Sequence, residues 1–138
     1  MAYRFVDTNV LLRYFLADNE EMAKKSLALL HKVESGEEHV ETSLLVVFET
    51  VFALYRTYRI SKARVRDLMI PLLGMKGLHV PDRQLCVDAL NLFVTRNISY
   101  TDAFNALYMR ERGISEVYTW DRDFDRVKGI QRVEPGGG

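Results

Sequence analysis

Apolar residues follow two spacings along the chain, one typical of strands and one typical of helices. Short runs of β-forming residues predict strands at residues 3–6, 39–41, 78–80, 116–119 and 130–133. Apolar residues at helical spacing predict helices at about residues 10–16, 20–33, 44–58, 62–73, 82–95 and 100–112. This order predicts an α/β fold, with a central, mainly parallel sheet of short strands and helices on both faces.

The helix that follows Ser43 has an acidic residue among its apolar positions. Its helically spaced residues predict a buried face made of Leu44, Val47, Phe48, Val51, Tyr55 and Tyr58. Glu49 lies in line with two further apolar residues, Leu45 and Phe52. A glutamate in such a stripe is rarely buried unless it is paired or binds a metal ion. Glu49 is therefore either a metal ligand or an edge residue whose carboxylate reaches water.

Length, composition and charge limit the class of protein. The 138 residues, 48% of them hydrophobic, predict one domain at residues 1–134 and a flexible glycine-rich tail at residues 135–138. The 19 basic and 19 acidic residues balance, which argues against a general nucleic-acid coat protein but not against an enzyme on nucleic acid. The single cysteine, Cys86, suits a reducing cytoplasm, and its helix position favours a core residue. Neither a signal peptide nor a membrane span is expected.

Two aspartates directly follow predicted strands. Asp7 comes after the first strand, and Asp121 follows the strand that ends near Thr119. Because ligands bind beyond the carboxyl ends of parallel strands, these two side chains are expected at one end of the sheet. Each residue, taken alone, also has the ordinary interpretation of a turn or cap aspartate.

Further acids lie at a helix start and in a short acidic segment. Ser99 and Asp102 fit a capping box, and a first-turn carboxylate there can also point into a cleft. Residues 121–125 contain three acids, but the glycine and the distal glutamate of a calcium loop are missing.

Carboxylates that share one pocket repel one another, and a divalent cation removes that cost. Ligands that are all oxygens favour Mg²⁺ or Mn²⁺ over Zn²⁺, and such ions activate water and stabilise charge on a phosphoryl group. The three histidines lack zinc-ligand spacing. The sequence has neither a phosphate-binding glycine loop nor a nucleophile-elbow serine.

Four motifs in order resemble the PIN-domain family over nearly the whole chain. They are an apolar strand that runs into Asp-Thr-Asn at residues 5–9, a capped helix with a glutamate at 43–49, a helix start with an aspartate and a small residue at 99–103, and a strand that ends in Thr-x-Asp-x-Asp-Phe at 118–124. Length and layout look most like the VapC toxins of toxin–antitoxin pairs. The resemblance implies a PIN-like fold and a Mg²⁺- or Mn²⁺-dependent endoribonuclease, usually a homodimer, that a small antitoxin protein holds inactive.

The resemblance also implies site residues by position. Four acids would be catalytic and would bind the metal: Asp7, Glu49, Asp102 and Asp121. Asp123 and Asp125 could join the metal site, directly or through water. Thr8, Asn9 and Thr119 would be supporting polar residues.

Three further expectations concern partners. Arg56 and Arg59 belong to a basic stretch that either guides RNA phosphates or is an ordinary solvated face. The helices at residues 47–58 and 62–73 carry more apolar residues than one sheet face needs, so we expect a symmetric homodimer that uses them. An arginine of the antitoxin, inserted among the acids, would inhibit by pairing with them.

Two other functions stay open at this point. A non-catalytic PIN-like interaction module would keep the fold without the activity. An aspartate-based phosphatase or phosphotransfer domain would also place Asp7 at a strand end, but haloacid-dehalogenase-like enzymes need a second aspartate where Asn9 stands. Metal-dependent RNA cleavage that is lost on Asp7→Asn separates the nuclease from both.

Overall fold

The structure, a computed structural model, describes residues 2–136, which form two compact units with the boundary between residues 83 and 84. Within these described residues, six α-helices alternate with five short strands, and every strand pair is parallel. The predicted α/β class is therefore confirmed. Of the predicted tail, residues 135 and 136 form a turn, and residues 137 and 138 lie outside the described part.

The first unit carries most of the predicted elements. In chain order they are β1 (Arg4–Phe5), α1 (Thr8–Leu16), α2 (Glu20–Ser35), β2 (Val40–Glu41), α3 (Leu44–Phe52), a π-helical turn (Ala53–Thr57), α4 (Lys62–Leu73) and β3 (Leu78–His79). Ser43 caps α3 and Ser61 caps α4, each by accepting a hydrogen bond from a backbone N–H in the first turn. These two predicted helix starts are confirmed because the caps are visible in the sequence.

β1, β2 and β3 form a parallel sheet in that order. Val40 on the central strand lies opposite Arg4 on one side and Leu78 on the other. Val40 and Leu78 are buried, so this face of the sheet belongs to the core. Beyond β2, the buried hydroxyl of Thr42 donates a hydrogen bond to the Val6 carbonyl at 2.9 Å. This bond fixes the end of β1, directly before Asp7.

α3 buries a narrower face than its apolar pattern predicts. Val47 and Val51 are buried, as predicted, and Leu54 is buried as well. The predicted burial of Tyr58 is wrong, since this residue is 42% exposed. The π-helical turn is the reason, because it ends the repeat of about 3.6 residues on which the prediction was based.

α4 contributes most of its apolar residues to the core of the same unit. Its buried members are Val65, Met69, Leu72 and Leu73. The apolar surplus that suggested a dimer interface on this helix is therefore used within the unit.

Gly77 lies just before β3 and touches two backbone carbonyls. A Cβ atom at this position would be 2.1 Å from the Glu38 oxygen and 2.8 Å from the Val33 oxygen. The Gly77 N–H donates to Val33, and its carbonyl accepts from the Val40 N–H, both at 2.8 Å. Because Gly77 is bonded on both sides and crowded, a side chain has no room there.

The second unit holds the last helices and strands. Its elements are α5 (Arg83–Thr95, which starts at the boundary), α6 (Tyr100–Glu111), β4 (Glu116–Tyr118), a 3₁₀ turn (Arg122–Arg126) and β5 (Gln131–Val133). β4 and β5 pair in parallel. Tyr100 on α6 donates its hydroxyl to the Cys86 carbonyl on α5 at 3.0 Å. Cys86 is fully buried, so its predicted place in the core is confirmed.

Across residues 2–136, no helix has both the length and the apolar character that crossing a membrane requires.

Candidate metal centre

Three aspartates of the second unit lie together. Asp102, Asp121 and Asp123 each offer a carboxylate oxygen, and these atoms lie within 4.8 Å of one another. Asp121 is exposed, whereas Asp102 and Asp123 are half-buried. In the described part of the chain, no other trio of acidic, histidine or cysteine side chains has this spacing. We name these three residues the aspartate cluster.

Asp102 reaches the cluster from the first turn of α6. Ser99 caps this helix, since its Oγ accepts a hydrogen bond from the Asp102 N–H at 3.0 Å. Ala103 and Phe104 follow directly and are buried, so they hold the turn in the core of the unit. The predicted cap is present, and because it uses the backbone of Asp102, the carboxylate is left for the cluster.

Asp121 and Asp123 come from the loop after β4. The Asp121 N–H donates to Thr119 Oγ1 at 3.0 Å, and the Asp123 N–H donates to Asp121 Oδ1 at 2.9 Å. The Thr119 N–H donates in turn to the Val133 carbonyl at 3.1 Å. Phe124 is buried and anchors the 3₁₀ turn that follows. The Thr-x-Asp-x-Asp-Phe motif therefore folds into local contacts that orient both carboxylates.

Burial and repulsion act on the cluster in opposite ways for its two central members. Burial is the main cause that raises the pKa of Asp102, to about 6, and the carboxylate of Asp121 raises it further. Asp123 adds a smaller upward effect, while the Ser99 side chain lowers the pKa of Asp102. The pKa of Asp121 is lowered, chiefly by the hydrogen bond from the Asp123 backbone and then by Asp102. A proton shared by Asp102 and Asp121 therefore resides on Asp102.

The donor set of the cluster fits a divalent cation. Asp102 Oδ2 is buried and has no hydrogen-bond partner among the described residues. Asp102 and Asp121 can share a hydrogen bond only when one of them is protonated, because an ionised carboxylate accepts but does not donate. When both are ionised, a cation satisfies the buried oxygen and removes the repulsion. Three carboxylates suit Mg²⁺ or Mn²⁺ better than a softer metal ion.

Two charged neighbours complete the surroundings of the cluster. Asp125 forms an ion pair with Arg132, at 3.3 Å between Oδ1 and Nε, and the structure does not bring it into the cluster. Arg126 donates to the Asn97 carbonyl at 2.8 Å, and its positive charge helps to lower the pKa of Asp121. The sequence reasoning did not single out Arg126, although its place at the end of the same 3₁₀ turn was a signal.

The first unit carries the predicted residues of the Asp-Thr-Asn motif. Asp7 caps α1, since its Oδ1 accepts a hydrogen bond from the Thr8 N–H at 2.8 Å. Thr8 is buried, and its hydroxyl has no hydrogen-bond partner in the described part of the chain. Asn9 is exposed. That these residues share a site with the aspartate cluster stays a prediction.

Glu49 lies on α3 of the first unit and is exposed. The apolar residues in line with it, Leu45 and Phe52, are 78% and 64% exposed. The stripe that suggested an enclosed glutamate therefore faces away from the core of the unit. An exposed carboxylate needs no buried partner, so the role of Glu49 depends on the motif alone and stays a prediction.

Parallel strands between helices, with aspartates at a strand end and a helix start, define an α/β domain with an acidic site. The family model described as the PIN domain matches residues 4–130. The chain therefore belongs to the PIN-domain family, which confirms the identification made from the four motifs. Over 132 residues the chain is 23% identical to the "VapC ribonuclease" of Aquifex aeolicus (strain VF5), and the match covers 96% of each chain.

Proposed function

We propose that this PIN domain is a metal-dependent endoribonuclease that hydrolyses phosphodiester bonds in RNA. The aspartate cluster carries the proposal, because it combines close carboxylates with a buried oxygen that needs a cation. The name of the Aquifex aeolicus relative, a ribonuclease, supports RNA as the substrate.

Mg²⁺ or Mn²⁺ is the proposed cofactor, held by Asp102 and Asp121 with Asp123 as a further ligand. Such an ion supplies a water of lowered pKa and stabilises the charge that builds on a phosphoryl group. The chain prepares these ligands. Thr119 orients Asp121, and the Ser99 cap fixes the helix turn that carries Asp102. Asp102 must give up its proton before it can bind an ion, so metal binding should strengthen as pH rises through about 6.

We assign Asp7 and Glu49 to the same catalytic set, with Thr8, Asn9 and Thr119 as supporting residues. The motif order supports this assignment, as does the Thr8 hydroxyl, which is buried beside Asp7 without a partner. Buried hydroxyls of this kind are usually satisfied by water or a ligand.

The experiment that tests the proposal is cleavage of a labelled single-stranded RNA by the purified protein. Cleavage should require Mn²⁺ or Mg²⁺, should stop on addition of EDTA, and should fall at least about 100-fold in Asp7→Asn, Glu49→Gln, Asp102→Asn and Asp121→Asn. Asp125→Asn is the matched control, because Asp125 pairs with Arg132 outside the cluster, and it should cleave like the unchanged protein.

Three outcomes would contradict the proposal. Cleavage that persists in EDTA excludes the metal mechanism. A protein that binds metal but cleaves no RNA is a non-catalytic module. Phosphate release from a small phosphoester, without RNA cleavage, identifies a phosphatase.

We also propose that the protein is a toxin component whose partner is a small antitoxin, and that the chain forms a homodimer. The similarity to a VapC protein supports the pairing. Leu45 and Phe52 are large, exposed and apolar on α3, which supports self-association through this helix. Light scattering at micromolar concentration should then give twice the 16.0 kDa mass of the chain, and a monomer would contradict the dimer.

A further inference from the structure

The stretch from Thr50 to Arg66 is strongly basic in a chain whose charges otherwise balance. It contains no acidic residue and five basic ones: Arg56, Arg59, Lys62, Arg64 and Arg66. Arg66 pairs with Asp67 at 3.2 Å. Within residues 2–136, Arg56 and Arg59 make no ion pair. The charges of these two arginines are therefore available to an external anion.

Arg56 and Arg59 line one surface cavity of about 330 Å³, together with Tyr55, Ile60 and Ser61. This volume lies within the range of about 300–1,000 Å³ that is typical of small-ligand sites. The lining combines two guanidinium groups with an aromatic ring, an aliphatic side chain and a hydroxyl. Ser61 is also the N-cap of the 12-residue helix α4, whose N-terminus adds partial positive charge.

The local backbone holds the two arginines at this cavity. The chain leaves regular α-helical geometry in the π-helical turn, and the Ile60 N–H then donates to the Leu54 carbonyl at 3.0 Å. Between them, Arg59 has a φ of 56°, in the left-handed region that residues other than glycine rarely adopt. Both π-helical turns and left-handed residues are frequent at functional sites.

Tyr55 orders two cations without neutralising them. Arg56 Cζ lies 5.7 Å and Lys62 Nζ lies 5.4 Å from the centroid of the Tyr55 ring. Both distances fall within the reach of about 6 Å of a cation–π interaction. A carboxylate in the place of this ring would cancel the positive charge, whereas the ring preserves it.

We propose that this cavity, the Arg56–Arg59 pocket, binds a backbone phosphate of single-stranded RNA, with the neighbouring sugar or base against Ile60. The inference rests on the proposed ribonuclease function, and it names a contact with the substrate beyond the acidic residues. Guanidinium groups bind phosphate through paired hydrogen bonds. An acidic peptide would match the charge but not the mixed aromatic and aliphatic wall, so RNA fits the pocket better.

Binding of a fluorescein-labelled single-stranded RNA, measured in EDTA over a series of salt concentrations, tests this proposal apart from cleavage. The double variant Arg56→Gln/Arg59→Asn removes both charges, and asparagine tolerates the left-handed φ. The slope of log K against log salt concentration should fall by about 1.4, since each lost phosphate contact on a single strand is worth about 0.7. The affinity at low salt should fall at least about tenfold.

The matched control is Lys24→Gln/Lys25→Gln on α2, which changes the net charge equally at two exposed lysines paired with glutamates. This control should keep the slope of the unchanged protein. A second variant, Arg56→Lys/Arg59→Lys, keeps the charge and should keep most of the slope while it loses affinity.

Two results would overturn the pocket: an unchanged slope in the Gln/Asn variant, or an equal fall in the control. Equal binding of a glutamate-rich peptide of matched charge would overturn its preference for phosphate. Failure of the ribonuclease proposal looks different. RNA binding would then depend on Arg56 and Arg59 while Mn²⁺ produces no cleavage.

Discussion

Asp102 shows how one residue serves a helix and a site together. Its backbone N–H completes the Ser99 cap, and its side chain contributes a buried oxygen to the aspartate cluster. The sequence favoured the cap, because a serine followed three residues later by an acid is a common helix start. The grouping with Asp121 and Asp123 depends on how a loop returns to this helix start. Only the motif resemblance anticipated it.

The raised pKa of Asp102 predicts how the stability of the metal-free protein depends on pH. The folded protein binds the proton more tightly than the unfolded chain, because the pKa is about 6 in the fold and 3.8 without it. The favourable contribution is therefore complete below about pH 4 and disappears as pH rises through about 6. Urea unfolding in EDTA should show this fall for the unchanged protein and not for Asp102→Asn.

At pH 7 in EDTA, Asp102→Asn should accordingly be as stable as the unchanged protein, or more stable, since it removes one repelling charge. If it is instead less stable by about 0.5–1 kcal/mol at every pH, Asp102 acts mainly as a helix-start carboxylate. The account of the cluster would then be wrong.

Among the elements, those with local signals were predictable and those shaped by long-range contacts were not. The starts of α3, α4 and α6 follow from serine caps, and the Thr-x-Asp-x-Asp-Phe motif indicated a turn after β4. The π-helical turn after α3 has no such signal, because it depends on backbone hydrogen bonds from Tyr58 and Ile60 that propensity does not encode. The exposure of Glu49 was missed because periodicity finds an apolar stripe but does not say what covers it.

Gly77 gives a prediction about how β3 joins the sheet. Gly77→Ala should lower the free energy of unfolding by at least about 3 kcal/mol, the upper end of overpacking costs, because its Cβ would overlap the Glu38 carbonyl. Gly74→Ala is the matched control, since a Cβ there meets its nearest atoms at 3.6 Å in ordinary helical geometry. That control should stabilise by up to about 1 kcal/mol. Equal effects in urea unfolding would show that the crowding at Gly77 is absent.

For the whole molecule, overall composition said less than local arrangement. The equal numbers of acidic and basic residues conceal an acidic cluster near the start of α6 and a basic stretch around the π-helical turn. The balance correctly left room for an enzyme on nucleic acid, but it could not locate either feature. Four short motifs in order identified the family, because each fixes a residue type at a defined strand end or helix start.

The measurement that tests the central claim most directly is the melting temperature of the full chain in EDTA and in millimolar Mn²⁺. An ion that binds only the folded state stabilises it by about 2.7 kcal/mol at 100 times its Kd. The melting temperature of the unchanged protein should therefore rise by several degrees. Asp125→Asn should show the same rise, and Asp102→Asn should show little of it. No rise in the unchanged protein, or an equal rise in Asp102→Asn, would contradict a metal site at the aspartate cluster.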